Sequence, residues 1–292
     1  MPHQMVERSQ REAAAQLFDR FSVEIVGKDV PSLREAAPLL PQGTRVNVTY
    51  LSGEATETRI VAVDTVRELG LQPVPHISAR RLRSERQLDG FLAQLAAVGG
   101  CDSVFAVGGD PTEPEGPFED ALALIRSGAL ERHGASEVSI AGYPEGHPDI
   151  ADEVLWTALL DKRAELEGRG LGGAIVTQFA FDAERVLGWI GEVRERGVEL
   201  TIRVGVPGPA GVRRLLAYAK RFGVGSSAGV ARKYGLSLTN LMSTAGPDRF
   251  IAALAEGLDP NLHGDVKLHF YTFGGLAATA NWIRDFQEEA QP

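Results

Sequence analysis

The chain has 292 residues, 43% hydrophobic and 24% charged, the balance of a globular protein with material for a buried core rather than of a disordered chain. Its formal charge of -9, with basic residues scattered among acidic ones, excludes an extended nucleic-acid surface, which needs clustered Lys and Arg to neutralise phosphates. Cys101 is the single cysteine, so an intrachain disulfide is excluded; it reads as a small core residue, and a reducing, cytoplasmic setting fits. No apolar run reaches the roughly 20 residues that cross a bilayer, so no membrane partner is expected.

From the N-terminus, residues 1–20 read as an amphipathic leading helix. They lack the continuous apolar segment of a signal peptide, and Glu7, Glu12 and Asp19 count against a transit peptide. A repeated pattern follows, in which a short β-branched run is broken by Gly, Pro or polar residues and succeeded by a longer stretch of helical period. The predicted strands are FSVEIV (21–26), RVNVTY (45–50), PVPHIS (73–78), SVFAVGG (103–109), VSIAGY (138–143), GAIVTQF (173–179), ELTIRVGV (199–206) and KLHFYTF (267–273). Between them, 57–70, 84–100, 152–168 and 182–197 carry apolar residues at three- and four-residue intervals and a Gly near the end, as amphipathic helices do. Nearly continuous apolar strands alternating with helices imply a parallel sheet covered by helices. Eight such units are the number that closes a (β/α)8 TIM barrel, with an open doubly wound sheet as the alternative. The stretch 226–265 is too long for one crossover and predicts two or three extra helices before the last strand. With no linker in view, one barrel domain over 1–292 is expected.

In a barrel of this kind chemistry sits at the C-terminal ends of the strands. The polar residues there are Glu24, Thr49 and Tyr50, His76, Gly108-Gly109-Asp110, Tyr143 with His147, and Gln178. A strand rarely buries Glu or Gln without a partner, because an unpaired charge or amide costs several kcal/mol. Each has a bland alternative: a core ion pair for Glu24, a satisfied core histidine for His76, a turn cap for Asp110. Together they point to a pocket with an acid, an amide and hydrogen-bonding rings. Gly108 and Gly109 would let a planar or phosphorylated ligand approach the backbone.

Taken in order, FSVE (21–24), VTY (48–50), PH (75–76), AVGGD (106–110), IAGYPEGHPD (140–149), TQFAFD (177–182) and HFYT (269–272) resemble the methylenetetrahydrofolate reductase family, with YPEGHP and TQ-x-x-FD as the specific elements. The resemblance implies a barrel that holds FAD and interconverts 5,10-methylenetetrahydrofolate and 5-methyltetrahydrofolate with NAD(P)H, a reaction of one-carbon metabolism and methionine biosynthesis. It further implies that Glu24 is the general acid that protonates N10 of the folate, and that Asp110 stabilises the resulting iminium cation. Thr49, Tyr50, His76, Gly108, Gly109, Asp110, Ala141, Tyr143 and His147 would line the FAD, with Lys162 and Arg163 as partners for its phosphates or, alternatively, a solvated helix face. Gln178, Arg214 and Tyr218, with Glu24, would contact the folate. No metal is implied.

The pattern departs from the family at Ile25-Val26-Gly27-Lys28, where aromatic residues and two prolines are usual, at Gly108, at Asp120, at Arg214 and at Gly275. These positions surround the cofactor and the folate tail, so the electron partner and the direction are the open points. Oxidation of 5-methyltetrahydrofolate with a non-NAD acceptor is one alternative. A metal-dependent hydrolase using His76, Asp110 and His147 is another, and a folate- or flavin-binding protein without turnover is a third. The helical exterior is compatible with a monomer or a homo-oligomer.

Overall fold

Eight strands form a closed barrel in the computed structural model, which describes residues 17–224 and 244–290. They are β1 (Ser22–Val26), β2 (Arg45–Thr49), β3 (Gln72–Ser78), β4 (Ser103–Val107), β5 (Glu137–Gly142), β6 (Ala174–Phe179), β7 (Thr201–Pro207) and β10 (Val266–Tyr271), closing in the order β1-β10-β7-β6-β5-β4-β3-β2. Two short segments, β8 (Ala210–Gly211) and β9 (Thr244–Ala245), pair antiparallel as a separate ribbon. The open doubly wound alternative is therefore replaced by closure. All eight barrel strands coincide with predicted runs, with ends that differ by two residues at most.

Helices cover Thr56–Glu68, Glu85–Ala97, Asp152–Gly168 and Ala183–Glu195, the four stretches of helical period. Sequence chemistry sets their ends. Ser84 accepts from the Gln87 amide and so caps the helix Glu85–Ala97, while the Gln87 side chain accepts from the Arg83 amide just before it. Gly70, at φ +74°, ends the helix Thr56–Glu68 in a left-handed turn, with the Leu71 amide bonded back to the Val66 carbonyl. Helices at Val30–Ala36, at Ala121–Arg126 and Ala129–Arg132, and at Val212–Arg221 lie in the remaining connections, and Leu276–Ala290 follows β10; their periodicity is less distinct in the sequence. Before β10 lie helices at Asp248–Gly257 and Pro260–His263, within the predicted extra segment; 226–243 of that segment, and 1–16 of the predicted N-terminal helix, lie outside the described residues.

The described residues divide into two compact units: Glu24–Gly142 with Glu153–Val176, and residues 17–23, 143–152, 177–224 and 244–290. In the first, the N-terminal ends of β2 to β5 are joined by polar side chains. The Arg45 guanidinium donates to Glu137 Oε2 at 2.7 Å and to Gln72 Oε1 at 3.5 Å, Gln72 Nε2 donates to Ser103 Oγ at 3.2 Å, and Ser103 Oγ donates to Glu137 Oε2 at 2.9 Å. Register explains the network, since Arg45 pairs with Gln72 and Ser103 with Glu137 across neighbouring strands. In the second unit, the buried Ser22 hydroxyl lies 2.9 Å from His269 Nδ1, and the Tyr271 hydroxyl donates to the Thr177 carbonyl at 3.0 Å.

No helix among the described residues is long and apolar enough to cross a membrane. Cys101 is buried, and desolvation pushes its thiol up to about 11.

Candidate active site

In the unit Glu24–Gly142, the polar residues at the strand ends form a connected chain. Glu24 on β1 is 17% exposed at its side chain, and its Oε2 lies 3.6 Å from Nε2 of His76 on β3. The same nitrogen lies 3.3 Å from Nδ2 of Asn47, a buried residue of β2, and the His76 ring meets Phe105 edge-to-face at 4.7 Å. Behind it the buried Arg59 donates from Nη1 to the His76 carbonyl at 3.4 Å. The Arg59 guanidinium rests between two rings, 4.9 Å from the centroid of Tyr50 and 4.4 Å from that of Phe91. Burial lowers its pKa, with the charge of Glu54 opposing that shift.

A second guanidinium, from Arg81, lies 4.8 Å from the Tyr50 centroid and donates to Asp110 Oδ2 at 3.2 Å. Asp110 is 77% exposed at its side chain. The loop that follows it is strapped down, with Arg80 donating to the carbonyls of Glu119, Pro111 and Thr112 while Arg83 pairs with Glu115 at 3.2 Å. Gly108 is open: a Cβ there would meet nothing within 4 Å. Thr49 ends β2, and Ala141 on β5 packs with Val107 against the core residues Val74, Phe105 and Val176.

Lys162 and Arg163 part company on their helix. Arg163 forms an ion pair with Glu167 at 3.0 Å, one turn along, as a surface residue does. Lys162 is buried, so the solvated-face alternative does not describe it. Desolvation lowers its pKa, Asp120 opposes this from nearby, and its ammonium makes no hydrogen bond within the described residues. Asp120 itself caps the helix Ala121–Arg126 through the Ala123 amide at 2.8 Å.

The other unit is organised by rings. Tyr143 and His147 meet edge-to-face at 5.5 Å, and desolvation raises the Tyr143 phenol above its ordinary pKa. Glu145, between them in sequence, accepts from the amides of Phe181 and Asp182 at 2.9 and 3.1 Å, tying YPEGHP to the loop after β6. Gln178 accepts from the Phe179 amide through Oε1 at 3.1 Å. Buried Phe179 has Phe181, Phe222, Tyr271 and Phe273 packed edge-to-face around it at 5.1 to 5.8 Å. Tyr218 stacks on Phe273 at 4.0 Å, and Arg214 donates to the Phe273 carbonyl at 2.7 Å.

The structure thus brings Glu24, His76, Tyr50 and Asp110 into one linked array, and Gln178, Tyr218 and Arg214 around a ring cluster. Asn47, Arg59, Arg81, Glu145 and Phe273 join them without having been singled out in the sequence. Asn47 carried a signal, a polar residue at a buried position of an apolar strand. Arg59 and Arg81 carried none, because nothing in one dimension shows that both meet the same ring. Among the described residues no group of three or more His, Cys, Asp and Glu side chains is arranged to hold a metal, and the near carboxylate of His76 is Glu24 rather than Asp110.

A sequence profile described as methylenetetrahydrofolate reductase matches residues 27–224, more than half of the chain. The chain belongs to the methylenetetrahydrofolate reductase family. Among curated members it is 26% identical over 160 residues to methylenetetrahydrofolate reductase 2 of Saccharomyces cerevisiae, a match covering 52% of this chain and 26% of that protein. It is 28% identical over 177 residues to the 5,10-methylenetetrahydrofolate reductase of Pectobacterium carotovorum, covering 60% of this chain and 57% of that one. The chain therefore spans about a quarter of the yeast member's length and a little over half of the bacterial one's. In solved structures, a Clostridium thermocellum protein described as binding two copies of 5-methyl-5,6,7,8-tetrahydrofolic acid shares the fold, with a TM-score of 0.60 over 96% of this chain and 99% of that one at 10% identity.

Proposed function

We propose that this member of the methylenetetrahydrofolate reductase family is an oxidoreductase that reduces 5,10-methylenetetrahydrofolate to 5-methyltetrahydrofolate, with NAD(P)H as electron donor. The family match over residues 27–224 carries the proposal. The half-enclosed carboxyl of Glu24 supports it from the chemistry side, because opening the methylene bridge requires a proton at N10 from a group within reach of it. In this reading Glu24 delivers that proton, leaving the 5-iminium cation to accept a hydride, and Asp110 contributes negative charge that favours the cation. Gln178, whose Oε1 already accepts the Phe179 amide, presents its amide nitrogen to the pterin. Tyr218, backed by Phe273, gives the ligand a flat surface, and Arg214 holds that surface through the Phe273 carbonyl.

Two features fit a bound flavin dinucleotide. The largely buried Lys162 side chain makes no hydrogen bond to a described residue, which leaves its ammonium able to meet an anion such as phosphate. Gly108 leaves the backbone after β4 open to close approach. We assign Lys162 to the phosphates, with Thr49, Gly109, Ala141, Tyr143 and His147 lining the remainder as the resemblance implies. FAD, when bound, would supply hydride transfer between the nicotinamide and the folate. A second reading, direct hydride transfer from nicotinamide to folate, is favoured by Tyr50 and Asp110: both stand where the resemblance puts the flavin, and both are already engaged by Arg81.

Anaerobic stopped-flow with NADH, NADPH and 5,10-methylenetetrahydrofolate, with and without added FAD, tests these readings. Formation of 5-methyltetrahydrofolate is expected. Its absence with every donor and cofactor combination overturns the proposal, and equal rates with and without FAD on colourless protein select direct transfer.

A further inference from the structure

We infer that His76, rather than lining a cofactor, is the positioning residue that returns a proton to Glu24, so that the two side chains share one proton between turnovers; this rests on Glu24 being the acid of the proposed reaction. The ring has the geometry for it. Nε2, the nitrogen nearest Glu24 Oε2 at 3.6 Å, is also the one nearest the Asn47 amide at 3.3 Å. An amide N–H can donate only to an unprotonated ring nitrogen, so with Asn47 as donor Nε2 offers a lone pair; in that state of the inferred pair the shared proton is on the Glu24 carboxyl. With the proton moved to Nε2, the ring becomes an imidazolium, Glu24 becomes a carboxylate, and the pair is an ion pair. Catalytic contacts of this length commonly tighten to hydrogen-bond length only with substrate.

The surroundings hold the ring for this exchange. Phe105 on β4 packs against it edge-to-face at 4.7 Å, and the ring is buried, so few other orientations are open to it. Glu24 on β1 and Arg59 on the helix Thr56–Glu68 bring charge to it, whereas Asn47 on β2 and Phe105 do not. Arg59 meets the His76 carbonyl, and the Glu24 carboxyl faces Nε2 of the ring. The balance of a turnover is simple. Glu24 gives its proton to folate N10, leaving a carboxylate beside a neutral ring; the ring then takes a proton from solvent and passes it from Nε2 to the Glu24 carboxylate, and no electrons move in these steps.

The test has two independent arms. In ligand-free protein, the histidine ring signal that disappears in His76→Gln is followed by NMR against pH. It is expected to titrate at lower pH in Glu24→Gln, which removes the carboxylate while keeping size and hydrogen-bonding capacity. An unmoved titration overturns the pairing. In turnover, His76→Gln is expected to bind folate as the wild type does, yet to lose on the order of tenfold or more in kcat. The wild-type kcat is expected to fall toward high pH, and the same variant to lose that fall. A parallel fall in His76→Gln overturns the relay. Should Glu24→Gln itself turn over normally, the proposed reaction fails, whatever His76 does.

Discussion

The two compact units hold their candidate functional groups by different physics. In the unit that begins at Glu24, each polar group is set by another: Glu24 by His76, Tyr50 by Arg59 and Arg81, Asp110 by Arg81. In the other, Tyr218 and Phe273 are set by packing around Phe179, and the polar contacts of Glu145 and Arg214 end on backbone atoms. Charged side chains in a partly buried array respond to a charge that a ligand brings. A ring cluster has one good arrangement and resists change. Chemistry is therefore expected to concentrate in the first region and rigidity in the second.

The difference can be broken or sharpened by substitution. Glu24→Gln should lower folate turnover by about 10²- to 10⁴-fold, measured by single-turnover kinetics, with a thermal midpoint near that of the wild type; a large drop in midpoint would make the charged region structural instead. Phe179→Ala should do the converse, costing about 3–5 kcal/mol in urea unfolding because it empties the centre of the ring cluster. A loss below ~1 kcal/mol would show that the cluster does not carry rigidity. Within the first unit, Arg45→Ala removes the donor shared by Glu137 and Gln72 at the opposite strand ends. Its expected cost is about 1–2 kcal/mol of stability with turnover intact, since Glu137 is partly exposed and screened.

Two smaller effects refine the picture. Glu145→Gln keeps one acceptor for the amides of Phe181 and Asp182 but removes the charge, and about 1 kcal/mol of stability should go with it in the same unfolding experiment. An unchanged midpoint would mean that the YPEGHP loop is held otherwise. Cys101, whose thiol burial raises to about 11, should resist a thiol reagent at pH 8 and react only on unfolding. Because the native state disfavours the thiolate, this group should erode stability as pH climbs from the unfolded thiol's range toward 11, and be silent below it. Rapid labelling of native protein at pH 8 would contradict the burial.

Periodicity carried the fold. Eight β-branched runs and the helical stretches between them follow from side-chain alternation and helix faces, local properties that survive into the closed barrel. Strand-end position also carried the polar set of Glu24, His76, Asp110 and Gln178, because strand direction in a parallel barrel fixes which end bears chemistry. Lys162 and Arg163 were equivalent as letters and became different residues only on folding: one is buried without a hydrogen-bond partner among the described residues, the other pairs with Glu167.

What the sequence by itself determined, then, is the order of strands and helices, the family, and the identity of the polar groups at the strand ends. Tertiary structure alone decided who pairs with whom. Glu24 and His76 are 52 positions apart, Arg59 and Arg81 reach one ring from different elements, and Glu145 reaches two amides of another loop. Such pairings depend on strand register and on burial, which set both the distance between groups and the dielectric through which they interact, and neither is a property of any local stretch of chain.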